Sequence, residues 1–565
     1  MILRWIAALR LREGQLMLAL ALVIGAVTGA VVVAFILLTE RLGMHLYPVG
    51  SAAWRRVLIP VSGSLAMGYL LFRYFPNARG SGVPQTKAAL FARNGVITGR
   101  TVIGKFFCTA ATLASGIPLG REGPSVQVGA GIASVLGRRL GLSPQRLKDL
   151  IPVGAAAAIA AAFNTPLAAV LFSLEEVMGD LHAPILGSVV LASATSWLVL
   201  RMLLGNNPLF QVPQYQLVHP MELAIYALLG VAGGLVSVAF TRLLLFIRER
   251  FLQLPEWTRW FQPVAGGLVT GLLGWIVPQV LGVGYGYVGD ALNGKMAVQL
   301  MALLIVLKLL ATTTSYSSGN AGGIFGPSLF IGAMLGGTVG SIAHHLMPGY
   351  TATAGAYALV GMGTAFAGIV RAPMTSVVMI FETTHDYAVI VPLMISNLVS
   401  FFISSRLQPQ PIYDALAIQD GVHLPSSESR QRHARLQVGA TMREARDVLP
   451  AQMTVGEAVE RTRSSEFRAW PVIDPRGVLG VVNAATLERQ LAKGAATAML
   501  GELLHDHVFP HVHPDQSLDL ALERMGAAQL DALPVVSRLD VHKLEGIVTL
   551  RDVLDSFGVH LPNTK

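Results

Sequence analysis

The stretch Gly120-Arg121-Glu122-Gly123-Pro124 lies between two long apolar runs. Glycine lets the backbone bend and approach a ligand closely, and proline suits the first turn of a helix. The stretch therefore predicts a helix that begins inside an apolar region. The amides at such a helix start are unpaired and carry partial positive charge, which attracts an anion. Because Glu122 is itself an anion, we expect its side chain to compete with a soluble anion for these amides.

The composition around this stretch is that of a membrane protein. Hydrophobic residues make up 53% of the 565 residues and charged residues 13%, whereas a soluble protein carries about 25% charged residues. Apolar stretches of about 20 residues span a bilayer as helices, and several are present, which predicts a polytopic α-helical membrane protein. The stretches without Asp, Glu, Lys or Arg are residues 16–39, 150–174, 223–241, 260–289 and the segment between Lys308 and Arg371.

The net positive charge of the chain is explained by basic residues at the ends of membrane helices. The formal net charge is +9, which alone would be compatible with nucleic-acid binding, but basic residues commonly flank membrane helices. Arg4, Arg10 and Arg12 precede the first apolar run and predict a cytoplasmic N-terminus. We therefore expect no nucleic-acid partner. The single cysteine, Cys108, excludes an internal disulfide framework.

An internal repeat organises the apolar part of the chain. Gly120-x-x-Gly123-Pro124-Ser125 matches Gly323-x-x-Gly326-Pro327-Ser328, and further matches follow at nearly constant spacing. The repeats span about residues 15–205 and 220–408. Matched interruptions by glycine and proline are typical of transporters built from inverted repeats, whose broken helices meet at a central site. The downstream matches are Gly154, Pro166 and Glu175 with Gly361, Pro373 and Glu382.

The composition changes near residue 410. We predict a membrane domain over residues 1–410, a polar linker over 411–437, and two similar α/β units over 438–500 and 501–560. Each unit has the pattern helix, short apolar strand, turn, strand, helix.

Three motifs together resemble the signature of the CLC chloride channel and transporter family, of the prokaryotic type: Gly80-Ser81-Gly82-Val83-Pro84, Gly120–Pro124 and Gly323-Ile324-Phe325-Gly326-Pro327. The tail resembles a tandem pair of CBS domains. The resemblance implies two inverted repeats of broken and tilted helices followed by a small α/β CBS module. It also implies a homodimeric transporter in the bacterial inner membrane, with both termini cytoplasmic. No enzymatic activity and no cofactor or metal site is implied.

The resemblance also implies an anion site. Chloride would be bound by the hydroxyls of Ser81 and Tyr413 and by the backbone amides of Ile324 and Phe325. Neutral dipoles hold an anion weakly enough for it to leave, as conduction requires. In this family a serine at the position of Ser81 generally accompanies chloride selectivity, whereas proline accompanies nitrate and methionine occurs among fluoride exporters.

Two carboxylates distinguish an exchanger from a channel. By resemblance, Glu122 is the external gate and Glu176 the internal proton acceptor, which predicts chloride/proton antiport. The alternative is a passive chloride channel of the same fold, because Lys87 occupies a place where eukaryotic members, channels among them, have lysine. Glu175 and Glu382 are expected to be structural. A carrier of magnesium or another cation would need clustered carboxylates along the pathway, and the uncharged segment after Lys308 argues against it.

The second CBS copy contains Gly546-Ile547-Val548-Thr549-Leu550-Arg551-Asp552. By resemblance to other CBS pairs, Asp552 would accept the ribose hydroxyls of ATP, ADP or AMP, and Thr549 would hold phosphate. The first copy lacks the aspartate, so its site is expected to be degenerate. The alternative is a module that only supports the dimer. A solvated loop, not a metal site, is expected at His505, His507, His511 and His513.

Overall fold

The structure, a computed structural model, describes residues 13–557 apart from 49, 182–184, 206–209, 211, 213–214, 216, 423, 425–435, 446, 464, 466 and 505–508. The N-terminal arginines, the most polar part of the predicted linker and two of the four histidines, His505 and His507, lie outside the described residues. The chain forms two compact units, Met1–Leu424 and Pro425–Lys565.

In its described residues, the first unit is built from α-helices, and sixteen of them form two sets of eight in the same order. The first set is α1 (Glu13–Leu46), α2 (Arg55–Arg73), α3 (Val83–Ala92), α4 (Gly99–Ala114), α5 (Glu122–Arg139), α6 (Pro144–Phe163), α7 (Pro166–Phe172) and α8 (Leu186–Leu204). The second set is α9 (Glu222–Leu252), α10 (Pro263–Ile276), α11 (Tyr285–Leu292), α12 (Val298–Ser317), α13 (Phe325–Leu346), α14 (Ala354–Ile369), α15 (Pro373–Thr384) and α16 (Ile390–Leu407). A last helix, α17 (Ile412–Gln419), carries Tyr413.

The predicted repeat is confirmed, because each helix of the first set has a counterpart eight helices later. The two sets meet at Gly120 and Gly323, whose amides and carbonyls exchange antiparallel hydrogen bonds of 2.7 Å each. Short helices such as α3, α7 and α11 lie among longer ones, as expected for broken helices that surround a site. Among the described residues, six helices are long and apolar enough to cross a membrane.

Matched glycines let the central helices pack closely. A Cβ on Gly129 of α5 would overlap the carbonyl of Gly154 of α6, and a Cβ on Gly332 of α13 would overlap that of Gly361 of α14. Small residues at such contacts allow backbones to approach in membrane helix packing. The pairs α5/α6 and α13/α14 therefore form equivalent close contacts in the two repeats.

Two glutamates, one in each repeat, cap the start of a helix in the opposite repeat. Glu175 accepts hydrogen bonds from the amides of Met374 and Thr375, at 3.2 and 2.8 Å, at the start of α15. Glu382 accepts bonds from the amides of Leu167 and Ala168, at 2.9 and 2.7 Å, at the start of α7. Since helix starts expose unpaired amides, each carboxylate satisfies donors that would otherwise lack partners. The structural role expected of both glutamates is confirmed.

The predicted linker begins later than the sequence suggested. Helix α17 lies within residues 411–437, yet it belongs to the first unit, and its residues Ile412 and Tyr413 are fully buried there. The composition changes at residue 410 because α17 carries polar residues such as Asp414 and Gln419, although one face of the helix is buried.

The second unit contains two sheets. Strands β1 (Leu449–Pro450), β2 (Ala469–Asp474) and β3 (Gly477–Asn483) form one in that order, and β4 (Ala532–Val536) pairs antiparallel with β5 (Leu544–Thr549). Its helices are α18 (Val438–Thr441), α19 (Val455–Thr462), α20 (Ala484–Ala492), α21 (Leu500–Leu503), α22 (Leu518–Ala528) and α23 (Leu550–Ser556).

The two copies have separate cores, and one residue of the first predicted range packs in the core of the second. Val438 of α18 lies in the core formed by Leu518 and Val548 of the second copy. Leu500 of α21, the last residue of the range 438–500, lies in the core formed by Val455 and Trp470 of the first copy. The start of the first predicted range therefore packs on the second copy.

Candidate functional site

Three helix starts converge at one place. Gly82, before α3, has a φ of +105°, which favours glycine, and a Cβ there would overlap the carbonyl of Gly123 in α5. A Cβ on Gly123 would lie 2.7 Å from Ser81 Oγ and 3.5 Å from the Cα of Gly323, which precedes α13. The three motifs, distant in sequence, therefore form a single site.

The structure brings together Ser81 and Tyr413, two of the residues predicted to bind chloride. Both are fully buried, and the Tyr413 side chain lies within interaction range of Ser81. In the described part of the chain, neither hydroxyl oxygen has a protein partner in hydrogen-bond geometry. The amide of Ser81 donates a 3.3 Å bond to the hydroxyl of Tyr316, which orients the motif. Buried hydroxyls without partners are costly, and an anion that accepts hydrogen bonds from both would satisfy them.

Ile324 and Phe325 are fully buried at the start of α13, where a helix leaves its first amides without intrahelical acceptors. Packing fixes this backbone, because the Phe325 ring contacts three other rings. The distances between ring centroids are 4.8 Å to Phe163, 5.6 Å to Phe172 and 4.3 Å to Phe366. The amides therefore have a defined direction before any ligand arrives.

Glu122 is the first residue of α5 and is fully buried. Its Oε1 accepts a hydrogen bond from the hydroxyl of Tyr285, while Oε2 has no hydrogen-bond partner among the described residues. A Cβ on Gly326 would lie 3.2 Å from Oε2, so this free oxygen lies against the start of α13. Arg121 is 4.0 Å away through Nε, too far for a hydrogen bond. The carboxylate thus lies where an anion bound by the α13 amides would approach.

Sequence reasoning missed Tyr285, although the repeat held a signal for it. Gly282-Val283-Gly284-Tyr285 is the counterpart of Gly80-Ser81-Gly82-Val83, so α11 starts in the second repeat as α3 does in the first. The guanidinium of Arg121 lies 5.6 Å from the centre of the Tyr285 ring. The second repeat therefore has Val283 at the place of Ser81, and at the place of Val83 it contributes a phenol that donates a hydrogen bond to Glu122.

Glu176 is buried in a π-helical turn, Ser173–Met178, directly after α7. Its Oε1 accepts a 2.9 Å hydrogen bond from Lys87 Nζ. Lys87 Nζ also lies 2.6 Å from Asp414 Oδ1, in a direction outside hydrogen-bond geometry, so this contact is an ion pair only. The Lys87–Asp414 contact was not predicted, because the two residues lie at opposite ends of the membrane unit's sequence. Ionisable groups inside membrane proteins are costly and usually functional.

Two buried lysines hold the loops before the helix starts in equivalent ways. Lys105 donates to the carbonyls of Ala78 and Gly80, and Lys308 donates to those of Val280 and Gly282. Because their donors are used by backbone carbonyls, these lysines fix the loops in place and leave the anion site itself to neutral donors.

A cavity of about 420 Å³ adjoins Ser81. Its lining includes Gly80 and Tyr316, which contact the Ser81 motif, and the arginines Arg79 and Arg248. Asp420, which pairs with Arg248, also lies in the lining, but arginines outnumber it, and a cleft of net positive charge raises the local concentration of anions. The cavity is thus a candidate antechamber for an anion on its way to Ser81.

In the second unit, Thr549 and Asp552 cap α23 together. The Thr549 hydroxyl donates to Asp552 Oδ2 at 2.6 Å, and the amide of Asp552 donates to Thr549 Oγ1 at 3.2 Å. Asp552 Oδ1 forms an ion pair with Arg443, whose side chain is 55% exposed. Both predicted nucleotide-binding side chains therefore lie together at a helix start, with an arginine beside them.

Family models match most of the chain. A model described as "Voltage gated chloride channel" matches residues 63–405, and a model described as "CBS domain" matches residues 500–558.

Named relatives include the H(+)/Cl(-) exchange transporter ClcA of Vibrio campbellii. It is 34% identical over 371 residues, which cover 63% of this chain and 78% of the relative. The putative chloride channel protein ClcB-like of Ralstonia nicotianae is 34% identical over 388 residues, which cover 66% of this chain and 89% of that protein.

Among solved structures, a slow cyanobacterial Cl⁻/H⁺ antiporter has a TM-score of 0.67 and 27% identity over 72% of this chain and 97% of the antiporter. A eukaryotic CLC transporter matches with a TM-score of 0.61 and 21% identity over 95% of this chain and 97% of the transporter, a likeness of fold.

Proposed function

Because the chain belongs to the voltage gated chloride channel family, we propose that it exchanges chloride for protons across a membrane. The observation that carries the proposal is Glu122, a buried carboxylate with one free oxygen against the start of α13. Relatives that are 34% identical and named as H(+)/Cl(-) exchange transporters support the same function.

Chloride binds between the Ser81 and Tyr413 hydroxyls and the Ile324 and Phe325 amides. The support is that, among the described residues, neither buried hydroxyl has a partner in hydrogen-bond geometry and that aromatic rings pack the start of α13. A site of neutral donors lets the anion leave as well as bind.

Glu122 is the gate and the shared element of the two pathways. Ionised, its carboxylate occupies the position next to the α13 amides and excludes chloride. Protonated, it loses its attraction for the positive helix start and moves aside, so that chloride enters. Each cycle therefore couples one change in Glu122 protonation to anion movement.

Glu176 receives the proton on the other side. Its carboxylate is nearly buried, with 7% of the side chain exposed, yet Asp414 next to its lysine partner is 22% exposed, which provides a route for water. The proton leaves Glu122 towards Glu176 while chloride passes Ser81 and Tyr413.

Reconstitution of the full-length protein into liposomes tests the proposal. With a chloride gradient imposed, protons should move against their own gradient, as followed with a pH electrode outside the vesicles. Glu176→Gln should keep chloride flux and lose proton movement, since glutamine cannot carry the proton. Glu122→Gln should pass chloride independently of pH, because its amide never ionises. Chloride flux in the unsubstituted protein without any proton movement would refute exchange.

A passive chloride channel is the second candidate, favoured by the Lys87–Glu176 contact of 2.9 Å. A permanent ammonium beside Glu176 would hold this carboxylate in its ionised form and block proton uptake. The liposome experiment separates the two functions directly.

The chain is proposed to act as a homodimer in the bacterial inner membrane with both termini in the cytoplasm. The arginines before α1 support this orientation. The exposed apolar residues on α8 and α16, such as Leu198 and Leu398, are available for a contact between subunits.

We also propose that the second unit binds an adenine nucleotide at Thr549 and Asp552. Support comes from the position of both side chains at a helix start, where phosphate is favoured, and from the exposed Arg443 beside them. Binding would require Asp552 to exchange its contact with Arg443 for the ribose hydroxyls.

A further inference from the structure

Lys87 connects three elements of the membrane unit. It lies on α3, the helix that begins directly after Ser81 and Gly82. Its ammonium is 2.9 Å from Glu176 in the π-helical turn and 2.6 Å from Asp414 on α17. The lysine side chain is 4% exposed, so these contacts are screened little by solvent.

The other charged groups near Glu176 and Asp414 are bonded elsewhere, and Lys87 is the ion-pair partner of both. Glu175 turns away and bonds the start of α15. Arg371 lies within electrostatic range of Glu176 and Asp414, but its guanidinium donates to the carbonyls of Ser404 and Pro409. The remaining titratable neighbour is the Tyr413 phenol, adjacent to Asp414 in the chain. In the described part of the chain, the Lys87 ammonium is thus the cation in contact with Glu176.

We propose that Lys87 is a positioning residue that links the protonation of Glu176 to the inner end of the anion path. The inference rests on the exchange function proposed above. While Glu176 is ionised, the ammonium is shared between two carboxylates and ties α3 to α17. When a proton from water binds a Glu176 oxygen, the acid becomes neutral, and the ammonium, which keeps its own charge, is held by Asp414 alone.

This change acts on the anion site through the two tied helices. Helix α3 begins next to Ser81, and α17 carries Tyr413 immediately before Asp414. A shift of the ammonium towards Asp414 changes the spacing of the two hydroxyls that bind chloride. Proton uptake by Glu176 thereby changes the positions of the chloride-binding hydroxyls of Ser81 and Tyr413.

The charges predict opposite effects for the two partners. Lys87→Gln leaves Glu176 beside a second carboxylate without a counter-ion, which favours its protonated form. In Asp414→Asn the Lys87 ammonium interacts with Glu176 alone, which favours the ionised form of Glu176. Opposite and like charges within about 4–6 Å typically shift a titration by about one to three pH units. The pH profile of proton transport should therefore move to higher pH in the first variant and to lower pH in the second.

The experiment measures chloride and proton fluxes of the full-length protein in liposomes over a range of pH. We expect the two opposite shifts, a lower proton-to-chloride ratio in both variants, and restoration of the profile by Lys87→Arg. Asp149→Asn serves as the matched control, because the Asp149 side chain is 22% exposed, like that of Asp414, but pairs with Arg146. It should leave the pH profile unchanged.

Shifts in the same direction, or no shift, in variants of a protein that still exchanges would overturn the role of Lys87 while leaving the proposed function intact. Absence of proton movement in the unsubstituted protein would instead refute the exchange function itself. If Lys87→Gln fails to assemble, Asp414→Asn alone tests the proposal. The Asp414 side chain is partly exposed, so we expect this variant to fold. A profile that does not move to lower pH would then contradict the proposal.

Discussion

Glu122 differs from Glu175 and Glu382 in how its oxygens are bonded. Each of the other two uses both oxygens to accept backbone amides, so leaving would break at least two bonds. Among the described residues, Glu122 accepts one hydrogen bond, from Tyr285, and its other oxygen has no partner. The gate role proposed for Glu122 requires a carboxylate that can leave and return, and this incomplete bonding is compatible with that role.

Tyr285→Phe should weaken the closed position of Glu122. The substitution removes one hydrogen bond to a charged group, worth about 1.5–3 kcal/mol, and 1.4 kcal/mol corresponds to about a tenfold change in an equilibrium. We expect chloride flux at neutral pH to rise about tenfold or more, measured by chloride efflux from liposomes. Tyr287→Phe, on the same helix without a bond to Glu122, is the control. An unchanged or smaller flux would show that the phenol does not hold the gate.

Short helices with defined starts are the elements on which the site depends. Helices α3, α7 and α11 have ten residues or fewer, too few to be stable in isolation. Their starts are fixed from outside: Gly82 and Gly284 allow the backbone to turn with positive φ, and Glu382 bonds the amides of α7. The start of α7 therefore depends on a contact with the other repeat, whereas the loops before α3 and α11 are held by Lys105 and Lys308 of their own repeats.

The two reciprocal caps should contribute similar stability. Glu175→Ala and Glu382→Ala each leave amides at a helix start without acceptors, at a cost of about 1–3 kcal/mol per buried group. We expect both variants to unfold at lower temperature in detergent while any surviving protein keeps its ratio of protons to chloride. Glu249→Ala, at an exposed position of α9, is the control. A changed ratio in Glu175→Ala would instead place Glu175 in the proton pathway beside Glu176.

The whole chain separates into a unit that carries the residues of transport and a unit with its own cores. The proposed ion-binding and proton-carrying residues lie before Leu424, and the cores around Val548 and Trp470 lie after it. The residues proposed for transport and those proposed for nucleotide binding therefore lie in different compact units.

Ending the chain at Leu424 should leave exchange in place, because the membrane unit forms its contacts without the tail. Liposome fluxes of the truncated protein should show proton movement driven by chloride. Calorimetry with ATP, ADP and AMP should give binding heat with the full-length protein but none with the truncated one. Equal heats for both proteins, or no heat for either, would exclude the Thr549–Asp552 site.

The sequence predicts the helix starts well, because glycine and proline interrupt a helix through their local backbone properties. The helix start at Glu122 was predicted in this way, whereas the roles expected of Ser81 and Phe325 came from the resemblance to the CLC family. The Lys87–Asp414 ion pair was not predicted, since contact between residues so far apart depends on how the two repeats fold together. The packing of Val438 on the second CBS copy was missed for the same reason: the apolar pattern of Val438 predicts burial, but not which copy covers it.

The reciprocal caps also set an order for biogenesis. Helix α7 is synthesised long before Glu382, so the amides of Leu167 and Ala168 await their acceptors while the second repeat is still on the ribosome. Unpaired amides are costly in an apolar environment, and the first repeat remains an assembly intermediate until α15 is inserted. Two half-chains produced separately would each lack the carboxylate that the other supplies, and each would complete its fold only by finding its complement in the membrane.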